Sequence, residues 1–158
     1  MKYFSLLLIT FITTSCGGNQ VANSDGFTYK RTQEDFKKAK IEKQKAGYDL
    51  ANKGIGPIKN LTFKEINQDL VLAGAATFRQ KCTVCHYTDK RLIGPPLKGI
   101  YERRSPEWVV NLLLNTTEML KKDPIAIALL KEYNNIQMLN QNLSESEALS
   151  LAEFLRTL

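Results

Sequence analysis

The sequence is poor in the residues that most often bind metals or stabilise small exported folds. Its 158 residues include one histidine, three cysteines and one tryptophan. Three cysteines are too few for a disulfide-stabilised scaffold. A single histidine, His86, excludes a three-histidine zinc site, two histidines on one metal and a histidine proton relay. Long apolar runs are also lacking beyond the first residues, which argues against a multispan membrane protein.

The C-terminal part of the chain lacks a strong excess of either charge. The net charge is +6, but residues 67–158 carry 11 basic and 10 acidic side chains, whereas residues 17–66 carry ten and six. A nucleic-acid-binding domain is expected to be basic itself, so this distribution argues against one. The hydrophobic fraction of 43% and the charged fraction of 24% are typical of a globular domain.

The N-terminus has the pattern of an export signal. Residues 4–12 are nine apolar or small residues, too few to span a bilayer and typical of a signal-peptide core. Small residues then precede Cys16, which resembles a bacterial lipoprotein signal. We therefore expect residues 1–15 to be removed and Cys16 to be acylated, which would anchor an exported protein to a membrane. The alternative is an ordinary signal peptide, cleaved or retained, with an unpaired Cys16.

Residues 16–66 are expected to form a tether. Residues 17–28 are small and polar, as in a flexible linker. Residues 30–53 contain good helix formers and no proline, which predicts a solvated basic helix that Gly54 terminates. A basic strip on anionic lipid is the functional alternative for this helix. Residues 58–63 are expected to run along the surface of the following domain.

The sequence Cys82-Thr83-Val84-Cys85-His86 is a C-x-x-C-H motif, the pattern of covalent c-type haem attachment. Two cysteines three positions apart on a helical turn face the same way, so both thiols reach the vinyl groups on one porphyrin edge. His86 then lies under the ring as an iron ligand. A zinc site would need further ligands that the chain lacks. A thioredoxin-like motif would need a βαβ setting, whereas the flanking residues predict helix.

Helices are predicted on both sides of the motif. Residues 69–80 form one of them. Residues 144–158 form an amphipathic helix that begins at a capping box, in which Ser144 and Glu147 satisfy each other's backbone N–H groups. Ser105 followed by Pro106 is a third helix start.

Together with Gly94-Pro95-Pro96-Leu97, this pattern resembles class I cytochrome c over residues 67–158. The resemblance implies an all-α fold of three to five helices around one covalently bound haem c. The family packs its first and last helices together at a glycine and an aromatic residue. The positions that match these contacts are Gly74, Phe78, Leu151 and Phe154.

The resemblance also implies roles for side chains near the haem. The carbonyl of Pro95 would accept a hydrogen bond from Nδ1 of His86 and so fix its orientation. Leu97 belongs to the same segment and would pack on the haem. Arg103 matches a residue near a haem propionate, with simple solvent exposure as its alternative. Trp108 is expected at the haem edge, although filling of the core explains it nearly as well.

The identity of the sixth iron ligand is not decided by the motif, but few residues are candidates. His86 is the only histidine, so ligation by two histidines of one chain is excluded, and Met1 is expected to be lost with the leader. In the family the methionine ligand lies on a loop just before the last helix, which implies Met138. Met119 is the alternative ligand and otherwise a core or haem-wall residue. An iron with an open sixth position, or with another ligand, is the third alternative.

These features predict a one-electron carrier and not an enzyme, with redox-protein donors and acceptors, no small-molecule substrate and a haem domain facing the periplasm. The alternatives are a fixed haem subunit of a larger oxidase or reductase complex, and a haem sensor or enzyme with an open sixth position. Residues 53–59 and Asp123-Pro124 also resemble lipoprotein monohaem cytochromes of Bacteroidota. Some of those accompany nitrous oxide reductase.

Overall fold

A computed structural model describes residues 32–34 and 48–158. The described residues from 48 onward belong to one compact unit. They contain six helices and no strand, which confirms the all-α prediction. The helices are α1 (Gln68–Lys81), α2 (Ile100–Arg103), α3 (Pro106–Leu114), α4 (Thr116–Lys122), α5 (Pro124–Glu132) and α6 (Glu145–Leu155). Within the described residues, no helix is long and apolar enough to cross a membrane.

Four of the six described helices, α1, α3, α5 and α6, begin at a side chain that satisfies free backbone N–H groups. At α6, Ser144 accepts from the Glu147 backbone and Glu147 accepts from the Ser144 backbone, so the predicted capping box is confirmed. At α3, the Ser105 side chain accepts from the Trp108 backbone and Pro106 takes the first position, again as predicted. Because these two signals are local, the sequence is sufficient to place the starts of α3 and α6.

Helices α1 and α6 cross at Gly74. A Cβ atom on Gly74 would overlap the backbone carbonyl of Ser150 and lie 2.8 Å from Cβ of Phe154. One turn further along α1, the rings of Phe78 and Phe154 pack with centroids 5.3 Å apart. The absence of a side chain at Gly74 therefore allows the close helix crossing that the sequence predicted.

The core lies between α1, α3, α4, α5 and α6. Its buried apolar side chains are Phe78, Trp108, Val109, Val110, Leu113, Met119, Ile125, Ala126, Ala148, Leu151, Ala152 and Leu155. Helices α3, α4 and α5 are short and follow one another with almost no linker. Their apolar faces point to the inside of the molecule and together form one wall of a cavity.

An extended segment, residues 49–63, packs against α3, and we call it the strap. The buried side chain of Asn111 holds its middle: Nδ2 donates to the carbonyls of Lys53 and Ile58, at 2.9 and 2.8 Å. Oδ1 of the same side chain accepts from the backbone N–H of Ile58 at 2.9 Å. One asparagine thus satisfies three backbone groups that lack secondary-structure partners.

The predicted helix over residues 30–53 is wrong for its last six residues, because residues 48–53 are not helical. Oδ1 of Asp49 accepts from the backbone N–H groups two and three positions later, at 2.9 and 3.0 Å. This turn competes with helix formation. Gly54 has a positive φ of 71°, as a chain reversal requires. Residues before 48 that belong to this prediction lie outside the described part, apart from residues 32–34.

Candidate haem site

A cavity of about 350 Å³ lies between α1, α3, α4, α5, α6 and the loop that precedes α6. Its lining is predominantly apolar. Residues that contribute to this lining include Phe78, Leu97, Ile100, Val109, Leu112, Leu113, Leu120, Ala126, Leu129, Leu130, Leu151 and Leu155. A concave apolar cavity with a few polar groups is the usual form of a cofactor site.

The C-x-x-C-H motif forms a single turn at the end of α1, and all three of its functional side chains line the cavity. The carbonyl of Cys82 accepts from the backbone N–H groups of Cys85 and His86, at 3.1 and 2.9 Å. This turn directs both sulfurs to the same cavity. Burial raises the pKa of the Cys82 thiol, and the neighbouring Cys85 adds to this effect. Before haem attachment, Cys82 is therefore a protonated thiol at neutral pH.

The imidazole of His86 has a fixed orientation. Its Nδ1 lies 3.0 Å from the carbonyl oxygen of Pro95, and because a carbonyl only accepts, Nδ1 carries the proton. Nε2 therefore keeps its lone pair for a metal. Gly94 lies against the ring, and a Cβ atom there would overlap it. The Gly94 N–H also donates to the Cys85 carbonyl at 2.8 Å, which closes this loop onto the motif.

Met138 and Met119 lie in different places. Met138 is half-buried and lines the cavity together with His86. Met119 is completely buried, and it is not among the lining residues. Its Sδ accepts from the backbone N–H of Ile55 at 2.9 Å, beneath Gly54 of the strap. The structure therefore brings Met138 to the predicted haem site and places Met119 in the core behind it.

The loop that carries Met138 follows a tight reversal after α5. Asn134 and Asn135 have positive φ angles of 59° and 57°, which asparagine tolerates better than most residues. The loop is tied to α1 by Lys81, whose Nζ donates to the carbonyl of Gln141 at 3.3 Å. These contacts connect the end of α1, where the motif lies, with the loop that carries Met138.

Three further residues were expected near the haem. Leu97 and Trp108 line the cavity, and Trp108 is 2% exposed. Arg103 does not line it: its guanidinium donates to the carbonyls of Lys98 and Pro96, at 2.9 and 3.2 Å. The propionate role of Arg103 stays a prediction. Cys16, the expected lipidation site, lies outside the described residues.

Sequence reasoning missed most of the cavity wall. The side chains of α4 and α5 that complete it include Leu120, Ala126 and Leu129. A local signal was present, since the apolar run in residues 125–130 follows Asp123-Pro124, an aspartate cap with proline at the first helical position. Which face of this helix meets the cavity depends on packing, and no local pattern fixes it.

The residues of the cavity fit a covalently bound haem. The cavity combines an apolar interior, two thiols on one turn and a histidine whose Nε2 is left for iron. Among the described residues, no group of three or more His, Cys, Asp or Glu side chains could hold a metal ion by itself. A metal held by a porphyrin, with a protein imidazole available to it, matches this donor set better than a metal held by protein alone.

Comparison with known proteins agrees with this geometry. The model of the cytochrome c family matches residues 71–158, which is more than half of the chain. The chain therefore belongs to the cytochrome c family. It carries one covalently bound c-type haem with its iron, and its activity is haem-based electron transfer.

Solved structures show the same relationship. A cytochrome c from Rhodothermus marinus is 36% identical, with a TM-score of 0.62, and the match covers 65% of this chain and 88% of the relative. An engineered version of that protein is 34% identical, with a TM-score of 0.60, and the match covers 65% and 89%. The same engineered protein is also known bound to a carbene intermediate. No curated protein sequence matches the chain.

Proposed function

We propose that this protein is a one-electron carrier in which His86 and Met138 are the axial ligands of a haem attached through Cys82 and Cys85. One observation carries the proposal: all four side chains line a single cavity. The bound haem supplies a reversible change between ferric and ferrous iron. The protein supplies the attachment, the two ligands and an apolar surrounding.

Each ligand has a distinct role in this proposal. The hydrogen bond from Nδ1 of His86 to Pro95 fixes the ring and increases the basicity of Nε2. The Met138 thioether favours ferrous iron and so raises the reduction potential. With His86 and Met138 both bound to iron, a substrate would have no free coordination position. This arrangement supports electron transfer and not catalysis.

The location and partners follow from the N-terminal sequence. Acylation of Cys16 would anchor the protein to the cell membrane or outer membrane, and the haem domain would face the periplasm. Residues 17–47, between the anchor and the strap, would let the domain reach other membrane-associated or periplasmic respiratory proteins. The donor and the acceptor are then redox proteins.

The attachment is tested by replacing the two cysteines of the motif. Cys82→Ala and Cys85→Ala each remove one thioether, so the double variant should carry no haem on a denaturing gel stained for haem peroxidase activity. Cys16→Ser is the matched control, because it removes a cysteine outside the motif and should leave the stained band unchanged. A stained band in the double variant would contradict the attachment site.

A further inference from the structure

Asp123 is a buried carboxylate that the proposed electron transfer does not use directly. Its side chain accepts four hydrogen bonds and the residue is only 2% exposed. Oδ1 accepts from Nε1 of Trp108 at 3.0 Å and from the backbone N–H groups of Ile125 and Ala126, at 3.0 and 2.9 Å. Oδ2 accepts from Nδ2 of Asn52 at 2.7 Å. Four donors and no acceptor indicate an ionised carboxylate.

The donors come from three separate parts of the molecule. Asn52 belongs to the strap, Trp108 to α3, and the two backbone groups to the first turn of α5. Two of these partners, Trp108 and Ala126, also line the haem cavity. Asp123 therefore connects the strap with the cavity wall, although it is not itself part of the lining.

Trp108 is held on several sides. Besides its bond to Asp123, a Cβ atom on Gly54 would lie 3.3 Å from its Cδ1 atom, so the strap backbone covers the indole. The guanidinium of Arg104 lies 5.3 Å from the centre of its ring. An indole with one N–H donor and such close neighbours has a single favourable orientation.

We propose that Asp123 is a positioning residue for the haem site, and that Asn52 of the strap adjusts its effect. Asp123 orients Trp108 against the haem and places a negative charge behind this wall. A nearby anion favours ferric iron, which carries one more positive charge than ferrous iron. The guanidinium of Arg104, which interacts with Asp123, and the hydrogen bond from Asn52 partly compensate that anion. The strap, which precedes the part matched by the family model, thereby contributes to the reduction potential. This inference rests on the proposed haem site.

Two substitutions give opposite expectations. Asp123→Asn removes the charge but keeps an oxygen that caps α5 and accepts from Trp108, so the reduction potential should rise. Asn52→Leu removes the donor to Oδ2 and leaves the carboxylate less compensated, so the potential should fall. At a fixed applied potential, the ratio of reduced to oxidised haem should change several-fold in each case. Glu118→Gln, which neutralises a more exposed carboxylate on α4 paired with Lys122, should change this ratio little.

The same variants separate an electrostatic role from mere support of the fold. If Asp123 and Asn52 only held the cavity closed, either substitution would admit water to the haem. The reduction potential would then fall in both Asp123→Asn and Asn52→Leu. A fall or no change in Asp123→Asn would therefore overturn the proposal. A wild-type protein without a covalent haem spectrum would instead refute the proposed function, so the two failures are distinguishable.

A second measurement reports on the indole directly. Trp108 is the single tryptophan, so nitrogen-15 NMR of the ferrous protein shows one indole N–H resonance. Asp123→Asn should shift this resonance and speed its exchange with solvent, because a neutral acceptor replaces a charged one. Trp108→Phe should abolish it. An unchanged resonance and exchange rate in Asp123→Asn would show that Asp123 does not position the indole.

Discussion

Two methionines of this chain show how surroundings decide the role of a residue. Met119 is fully buried, and its sulfur accepts a hydrogen bond from the strap at 2.9 Å. Met138 is half-buried on a loop and lines the cavity with His86. A thioether already engaged by backbone and core is a packing group, whereas the thioether that lines the cavity is the one that we propose as an iron ligand.

This difference predicts two distinct phenotypes. Met138→Ala should lower the reduction potential and let carbon monoxide bind ferrous iron, because it removes the thioether and vacates a coordination position. Met119→Ala should do neither, but should lower the free energy of unfolding by about 2–5 kcal/mol, as for other buried Met→Ala changes. Carbon monoxide difference spectra and chemical denaturation measure the two effects. Carbon monoxide binding in Met119→Ala alone would reverse the ligand assignment.

At the scale of elements, two buried glutamates hold the segment before α1. Glu107 accepts from the Leu61 backbone at 3.1 Å and pairs with Lys53 at 3.2 Å, which fixes the strap on α3. Glu153 accepts from the Asn67 backbone at 2.9 Å and pairs with Arg156 at 2.7 Å. Each carboxylate accepts a hydrogen bond from a backbone N–H group of the extended segment, which has no partner in a helix or a sheet.

These glutamates make the fold sensitive to acid. Burial alone would raise the pKa of Glu153, but hydrogen bonds from Arg156 and Asn67 outweigh it and hold this pKa below its ordinary value near 4.5. Burial is outweighed in the same way at Glu107, whose pKa is lowered by backbone and Lys53 hydrogen bonds. A lowered folded-state pKa stabilises the fold above the unfolded value, and this stabilisation is lost as pH falls through the folded value.

Glu153→Gln should therefore lower the free energy of unfolding at pH 7, and the difference from the wild type should shrink as the pH falls below about 4.5. Glu107→Gln should behave in the same way. Denaturant titrations at a series of pH values measure the difference. A constant difference from pH 7 to the folded-state pKa would show that the charge of these carboxylates does not contribute.

Local and non-local interactions explain which elements could be predicted. The helix α1, the capping box of α6 and the proline start of α3 depend on side chains within four residues of one another, and the sequence sufficed for them. The helix prediction failed over residues 48–53 for two reasons. Asp49 forms a local turn that competes with helix, and Asn111, more than 50 residues away, holds the strap at Lys53 and Ile58. In the haem site, the motif is local and the Pro95 contact was implied by the family resemblance, whereas the walls from α4 and α5 depend on tertiary packing.

At the scale of the whole molecule, charge and chemistry are separated along the chain. The basic excess lies mainly in residues 17–66, and the haem domain that follows is nearly neutral. The expected anchor, Cys16, precedes this basic stretch and lies outside the described residues. A membrane-anchored carrier of this type would keep its site close to membrane-associated partners.

Removal of the anchor should change location and leave the site intact. Cys16→Ser should release the protein from the membrane fraction, because the acyl chains would be lost, while the haem spectrum stays that of the wild type. Cell fractionation followed by absorption spectroscopy measures both properties. A variant that remains with the membranes in high salt and dilute carbonate would point to an uncleaved leader or a partner that holds it.

The most direct test of the central claim is an optical redox titration of the complete protein, with and without carbon monoxide. For an electron carrier with His86 and Met138 on iron, the fraction of reduced haem should follow one reversible transition with applied potential. Its slope should be that of a one-electron couple. The ferrous spectrum should be the same with and without carbon monoxide at neutral pH. A missing haem transition would contradict the claim, and a ferrous spectrum shifted by carbon monoxide would show an open or labile sixth position, as in a sensor or an enzyme.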